Sequence, residues 1–253
     1  MLSDANQTPG TQKMITLYGT GPMFGLPHAS PFAIKTEMLL KLSGLQYQLA
    51  RADIRKAPKG KIPWIDDDGL IVPDSAFIKR HLEEKHGINF SGGYGEREQG
   101  IGLAIERLLE DHVYWLNIHS RWLDGDNFQR GPIRFFDSVP ALIRPIVRSL
   151  VLRSVRRNVK VHGIGRHDGE GRQYLGKLAI DALANILGQN PYILGKRVCG
   201  TDATAYAFLS SMACPQFDTP HIGQIQGHAN LTAYLARMEK EWFPEEGKGK
   251  AQA

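Results

Sequence analysis

The apolar pattern predicts an α+β chain in two parts: an α/β unit over residues 14–88 and an all-helical unit over 96–243. Two observations carry this. Before residue 88, short apolar runs alternate with amphipathic stretches in the order β-α-β, link, β-β-α. After a Gly-rich linker at 89–95 (NFSGGYG), apolar residues recur mostly at helical spacing.

The first strand is the apolar run 14–19, MITLYG. The Gly- and Pro-rich stretch after it reads as a loop. A helix follows at 31–43, with Ser30 as N-cap, Pro31 at its first position and Gly44 to end it. Residues 47–53 read as a second strand and 54–61 as an irregular basic link. The stretch 59–75, KGKIPWIDDDGLIVPDS, reads as strand, turn and strand, then a helix start. Asp67-Asp68-Gly69 is the expected turn, with Gly69 free to take positive φ. Pro63 sits at a strand entry, where proline needs a special geometry, and a cis Ile62–Pro63 bond is one solution. Pro73 stops the pairing. Asp74 and Ser75 open a helix over 74–85, which makes an anion-friendly corner.

In the second part, residues 96–123 read as one long helix, with Trp115 and Trp122 two turns apart on one face. That face, with Tyr114 and Arg121, is either core or the border of an apolar pocket. Residues 135–161 alternate apolar side chains with Arg and Lys, as a solvated helix face does or a helix that meets a membrane surface. Further helices are expected over 168–187, 201–213 and 230–242. Cys199 is a poor cap for the apolar helix over 201–213, so Thr201 or Asp202 is expected to cap it, with a weakened start.

Composition excludes several classes. No run approaches eighteen apolar residues, so no membrane-spanning helix is expected. Residues 1–13 and 245–253 read as disordered tails without an apolar leader. Cys199 and Cys214 are the only cysteines and form no CxxC, which fits a reducing cytoplasm. The net charge of +5 does not by itself indicate nucleic acid. The nine histidines show neither HxxxH nor HExxH, so no metal site is expected. His162 and His167 read as polar packing at a helix junction. Gly19-x-Gly21 lacks the context of a dinucleotide fingerprint.

The 59–75 stretch resembles the glutathione-binding half of a thioredoxin-like domain, as in glutathione S-transferases. HGIGRH at 162–167 and NPYILGKRVCGTDATAYAFL at 190–209 are similar to the C-terminal domain of the failed-axon-connections and metaxin branch, and Arg121-Trp122 and the segment 135–145 also fit it. In the first domain, S-P-F at 30–32 with Lys35 soon after fits the same branch. The resemblance implies a thioredoxin-like domain followed by an all-α domain. It implies that Ile62, before a cis Pro63, meets the cysteinyl part of glutathione, and that Asp74 and Ser75 hold its γ-glutamyl end. Ser30 takes the position facing the glutathione sulfur, and Ala33 stands where a second cysteine would be, so disulfide chemistry is not available. Ser30 can donate to the thiolate or simply cap its helix, and Tyr18 is its rival as donor. Tyr114, Trp115, Arg121 and Trp122 would border the co-substrate pocket. The branch includes enzymes and non-enzymatic proteins. The expectation is therefore a cytoplasmic, homodimeric glutathione transferase acting on an apolar electrophile, or a non-catalytic scaffold at a membrane surface.

Overall fold

The computed structural model describes residues 14–244; the expected tails lie outside them. The first part is a four-stranded sheet of order β2-β1-β3-β4. Its strands are β1 Ile15–Gly19, β2 Tyr47–Arg51, β3 Trp64–Asp67 and β4 Leu70–Pro73. β1 and β2 are parallel and joined by helix α1, Pro31–Ser43, since parallel neighbours need a crossover. β3 runs antiparallel to β1 and forms a hairpin with β4.

The hairpin turn is Asp68-Gly69, with φ of 59° and 85°. Two positive-φ residues match the right-handed twist of the flanking strands. The Asp66 carboxylate accepts the Gly69 N–H at 2.8 Å. Asp67, expected in the turn, is instead the buried last residue of β3. β2 stops two residues early because Asp53 turns to cap a short 3-10 segment, Ile54–Lys56.

Helix α1 has the expected bounds, with Gly44 left-handed at φ 70°. Helix α2, Ser75–His86, opens on Asp74. Side chains alternate across a strand. Leu17 and Ile65 therefore face the core with Ile34 and Met38 of α1 and Ile78 of α2. Tyr18 and Trp64 face the other way and stack at 4.9 Å.

The expected long helix is α3, Glu96–Arg107, and α4, Tyr114–Leu123, joined by a π-helical segment, Leu108–Val113. Wide π turns re-aim the side chains that follow them. Then come α5 Asn127–Arg130, α6 Arg144–His162, α7 Gly169–Leu187, α8 Gly200–Met212, α9 Pro220–Gln226 and α10 Ala229–Trp242. The short α9 had no strong sequence signal beyond Thr219-Pro220, which form its cap and first residue. Helix α1 packs on α8, whose Ala203 and Ala207 join the same core as Ile34 and Met38. Burying one such aliphatic side chain contributes about 1.5–3 kcal/mol.

The expectation for the start of α8 is corrected. Cys199 is its N-cap. Asp202 reaches back to accept the Cys199 N–H at 2.9 Å, and it also accepts the Ile193 N–H at 2.9 Å and the Tyr234 hydroxyl at 3.1 Å. The acid half of the capping box does most of the work, so a weak cap residue is tolerated. No described helix is long and apolar enough to cross a membrane.

Candidate active site

Topology gathers the sequence-predicted residues at one end of the sheet. Helix α1 returns from the end of β1, so Ser30 lies beside that end. Tyr18 pairs with Trp64, so the start of β3 lies there too. The Ile62–Pro63 bond is cis. The Pro63 carbonyl accepts the Asp74 N–H at 3.1 Å, which fixes Asp74 and Ser75 next to it.

These groups differ in how far they are used internally. Ser30 is half-buried and its side chain makes no cap hydrogen bond. Its carbonyl starts the helix by accepting from Ala33 and Ile34. The hydroxyl therefore stands at the positive end of α1 without a helix partner, a position that favours an anion. Asp74 is exposed and has φ 81°, uncommon for a residue with a side chain. Its Oδ1 accepts the Ala76 N–H at 3.1 Å, and Lys59 Nζ is 3.9 Å from its Oδ2. Ser75 is buried at the first position of α2.

Behind Ser30, buried polar groups fix the loop. Arg121 donates from its guanidinium to the carbonyls of Ala29, at 3.1 Å, and Ser211, and lies over the Phe217 ring. Burial lowers it to about 10, so it stays charged at neutral pH. The Ala29 N–H donates to Thr20 Oγ1 at 2.8 Å. His28 Nδ1 accepts the Gly21 N–H at 3.0 Å, and its Nε2 is 3.0 Å from Glu37 Oε2. This ring lies so close to Gly19 that a Cβ there would come within 2.6 Å of it. Burial pushes the Glu37 carboxyl up, but His28, Lys41 and the Tyr47 hydroxyl outweigh burial and hold it below its ordinary value of 4.5.

One turn into α1, Lys35 is buried against the helical part. Its Nζ is 2.6 Å from Glu110 Oε1 and 3.3 Å from Glu106 Oε2. Arg107 also pairs with Glu110, and Thr201 donates to Glu106 at 3.5 Å. Glu110 lies inside the π-helical segment. Sequence reading missed His28, Glu37 and the partners of Lys35. Nothing local marks them, because each partner of Lys35 is more than seventy positions away.

Of the four residues expected around a co-substrate pocket, Tyr114 meets Trp115 edge-on at 5.3 Å and lies near enough to Arg121 to feel its charge. Tyr114 packs edge-on against Phe32 at 5.1 Å and against Phe208, and burial pushes its hydroxyl pKa up. Trp115 stacks on His162 at 4.9 Å, in a second small core with Leu116 and Val159. Trp122 stacks on Phe135 at 5.8 Å. Arg121 is the buried loop clamp described above. The two tryptophans share a helix face, but different elements cover each one. His162 Nε2 donates to the Asp111 carbonyl, 2.7 Å away, as packing at a helix junction requires.

Comparison with known proteins bears on this geometry. Residues 31–127 match the family described as "Glutathione S-transferase N-terminal domain", and 176–238 match "Glutathione S-transferase, C-terminal domain". The isoprene-epoxide–glutathione S-transferase of Rhodococcus sp. (strain AD45) is 31% identical over 239 residues, covering 90% of this chain and 99% of that protein. Failed axon connections of Drosophila melanogaster is 26% identical, covering 96% of this chain and 61% of that protein. The solved beta-etherase LigF of Sphingobium sp. strain SYK-6 has the same fold, with a TM-score of 0.64 at 15% identity over 92% of this chain and 98% of that one. The sheet with its cis proline, the helical second part and these matches together show that the chain belongs to the glutathione S-transferase superfamily, on the branch that also holds failed axon connections and the metaxins.

Proposed function

We propose that the chain binds glutathione at this end of the sheet and joins it to a small apolar electrophile. The observation that carries the reading is the Ser30 hydroxyl. It stands at the head of α1 without a cap bond, on the same sheet end as cis Pro63, Asp74 and Ser75. Ile62 offers its backbone to the cysteinyl part, and Asp74 and Ser75 take the γ-glutamyl end. Ser30 donates to the sulfur, which favours thiolate over thiol. Lowering that pKa toward working pH supplies the nucleophile.

A relative named for an isoprene epoxide makes a small epoxide our first choice of electrophile. The thiolate attacks an epoxide carbon and a C–S bond forms. The C–O bond breaks with its electron pair on oxygen, and the alkoxide takes a proton. We assign Tyr114 as that donor, since burial keeps it protonated and it packs against Phe32, two residues from Ser30. The proton lost earlier by the thiol restores Tyr114 through solvent. On this reading the protein works as a cytoplasmic homodimer, as light scattering and fractionation would test.

The test is retention on immobilised glutathione, followed by glutathione consumption with a small 1,2-epoxide. Retention with epoxide-dependent thioether formation supports the reading. Failure to bind glutathione at millimolar concentration sinks it.

A second reading, a non-catalytic scaffold at a membrane surface, rests on the approach to α6 and on α6 itself. Leu142 is 94% exposed, Ile146 62% and Leu150 60%, beside Arg148, Arg153 and Arg157. Apolar and basic groups together suit an anionic lipid surface. Co-sedimentation with phosphatidylserine vesicles, lost in Leu150→Asp, together with no glutathione binding, would favour it.

A further inference from the structure

The far end of the hairpin holds a cluster that the proposed reaction does not use. Asp67 closes β3, and His81 and His86 lie on α2. Both Nε2 atoms are 2.7 Å from the same oxygen, Asp67 Oδ2. The three donor atoms lie within 4.8 Å of one another. The acid is 1% exposed, while the rings are 12% and 11% exposed. The carboxylate is sealed from solvent, and the two rings keep a small exposure.

We propose that Asp67, His81 and His86 form a binding site for a divalent transition metal of the zinc type. Two imidazoles and one carboxylate are a donor set that suits zinc, with water at the fourth position. Lys85 sets the selectivity. Its Nζ lies 2.8 Å from Asp67 Oδ1, the oxygen the histidines leave. The ammonium cancels the acid's charge, so calcium and magnesium, which need several oxygen ligands, are poorly served. Zinc bonds of about 2.0–2.2 Å would hold the donors roughly 3.3 Å apart. Relative to the acid, each histidine then draws back by about half an ångström from its present 2.7 Å. Each ring would carry its proton on Nδ1 when Nε2 binds metal.

HxxxH and HExxH, whose absence predicts no metal site, both place the ligands on one helix. Here the histidines are five positions apart and the third ligand comes from a strand. Neither buried thiol competes for the ion, since Cys199 and Cys214 are both enclosed.

The test titrates zinc chloride into the tag-free full chain against a chromophoric chelator, without glutathione. One ion per chain is expected, with a rise in melting temperature. His81→Ala, His86→Gln and Asp67→Asn should each weaken binding about tenfold or more, since even second-layer changes cost 10–100-fold. Lys85→Met keeps all three ligands and should bind at least as tightly as the native chain. Cobalt(II) in place of zinc should give the visible absorption of a four-coordinate site. Absence of zinc binding in both the native chain and Lys85→Met overturns the proposal, and the cluster is then only an ionic clasp between hairpin and helix. Undiminished binding in the double variant His81→Ala/His86→Ala also overturns it.

Discussion

The tip and the flank of α1 follow opposite rules. At the tip, Ser30 makes no cap bond, although serine there is among the best caps. On the flank, Lys35 and Glu37 are buried and each meets opposite charge, Glu37 through Lys41 at 3.6 Å. Local rules are broken where a ligand is expected and obeyed with excess behind it. The lesson is that the flank holds the tip still. On the proposed reading the Ser30 hydroxyl must keep its place toward a sulfur, and rigid support from behind would fix it.

Changes on the flank should then cost stability, and changes at the tip should cost turnover. The largest effect is expected from Lys35→Met, which strands Glu106 and Glu110 in the interface. Removing one partner of a buried ionic group costs about 3–5 kcal/mol. Urea unfolding should show this, and Lys35→Met with Glu110→Gln should recover part of it. A loss under about 1 kcal/mol would mean that Arg107 and Lys79 already neutralise the pair.

Ser30→Ala sharpens the other side. One hydrogen bond to a charged group is worth about 1.5–3 kcal/mol, so conjugation should slow by roughly ten- to hundredfold. Glutathione affinity should hardly change, and the rise of activity with pH should move upward. Stability should move by less than about 0.5 kcal/mol, because no cap bond is lost. A stability loss near 1 kcal/mol would instead make Ser30 a helix cap.

Glu37→Gln is expected to cost about 1–2 kcal/mol near neutral pH. Its sign with pH is fixed. The folded carboxyl lies below the unfolded value, so its stabilisation is full above the ordinary 4.5 and is lost as pH falls through the lowered folded value. The variant should therefore show a flatter acid limb than the native chain. Tyr18→Phe should change least. Its ring is stacked on Trp64 and points to the sheet face away from α1. Loss of activity in that variant, with Ser30→Ala active, would transfer the donor role to Tyr18.

Local signals were legible in the sequence. Ser30-Pro31 and Gly44 marked α1 to the residue, and Pro63 at a strand entry marked the cis bond. Asp74-Ser75 marked the start of α2. What stayed hidden was long-range. Lys35 reads as an ordinary charged helix residue until the π segment brings Glu110 to it. Arg121 was legible as a residue of the core or pocket face, but not that it is 5% exposed and holds the Ala29 carbonyl. Asp67 looks like one of three turn acids, yet only it is buried. Periodicity reports which face is wet. It cannot report which buried charge finds a partner seventy residues away.

The Cys199 cap has a chemical consequence of its own. Burial and the neighbouring Asp202 push its thiol up to about 12, and burial also raises Cys214. Only the thiolate is nucleophilic. At neutral pH both thiols therefore stay protonated, so the chain presents almost no sulfur nucleophile of its own. A catalyst that handles alkylating agents would thereby escape alkylating itself. It would also resist trapping as a mixed disulfide with oxidised glutathione.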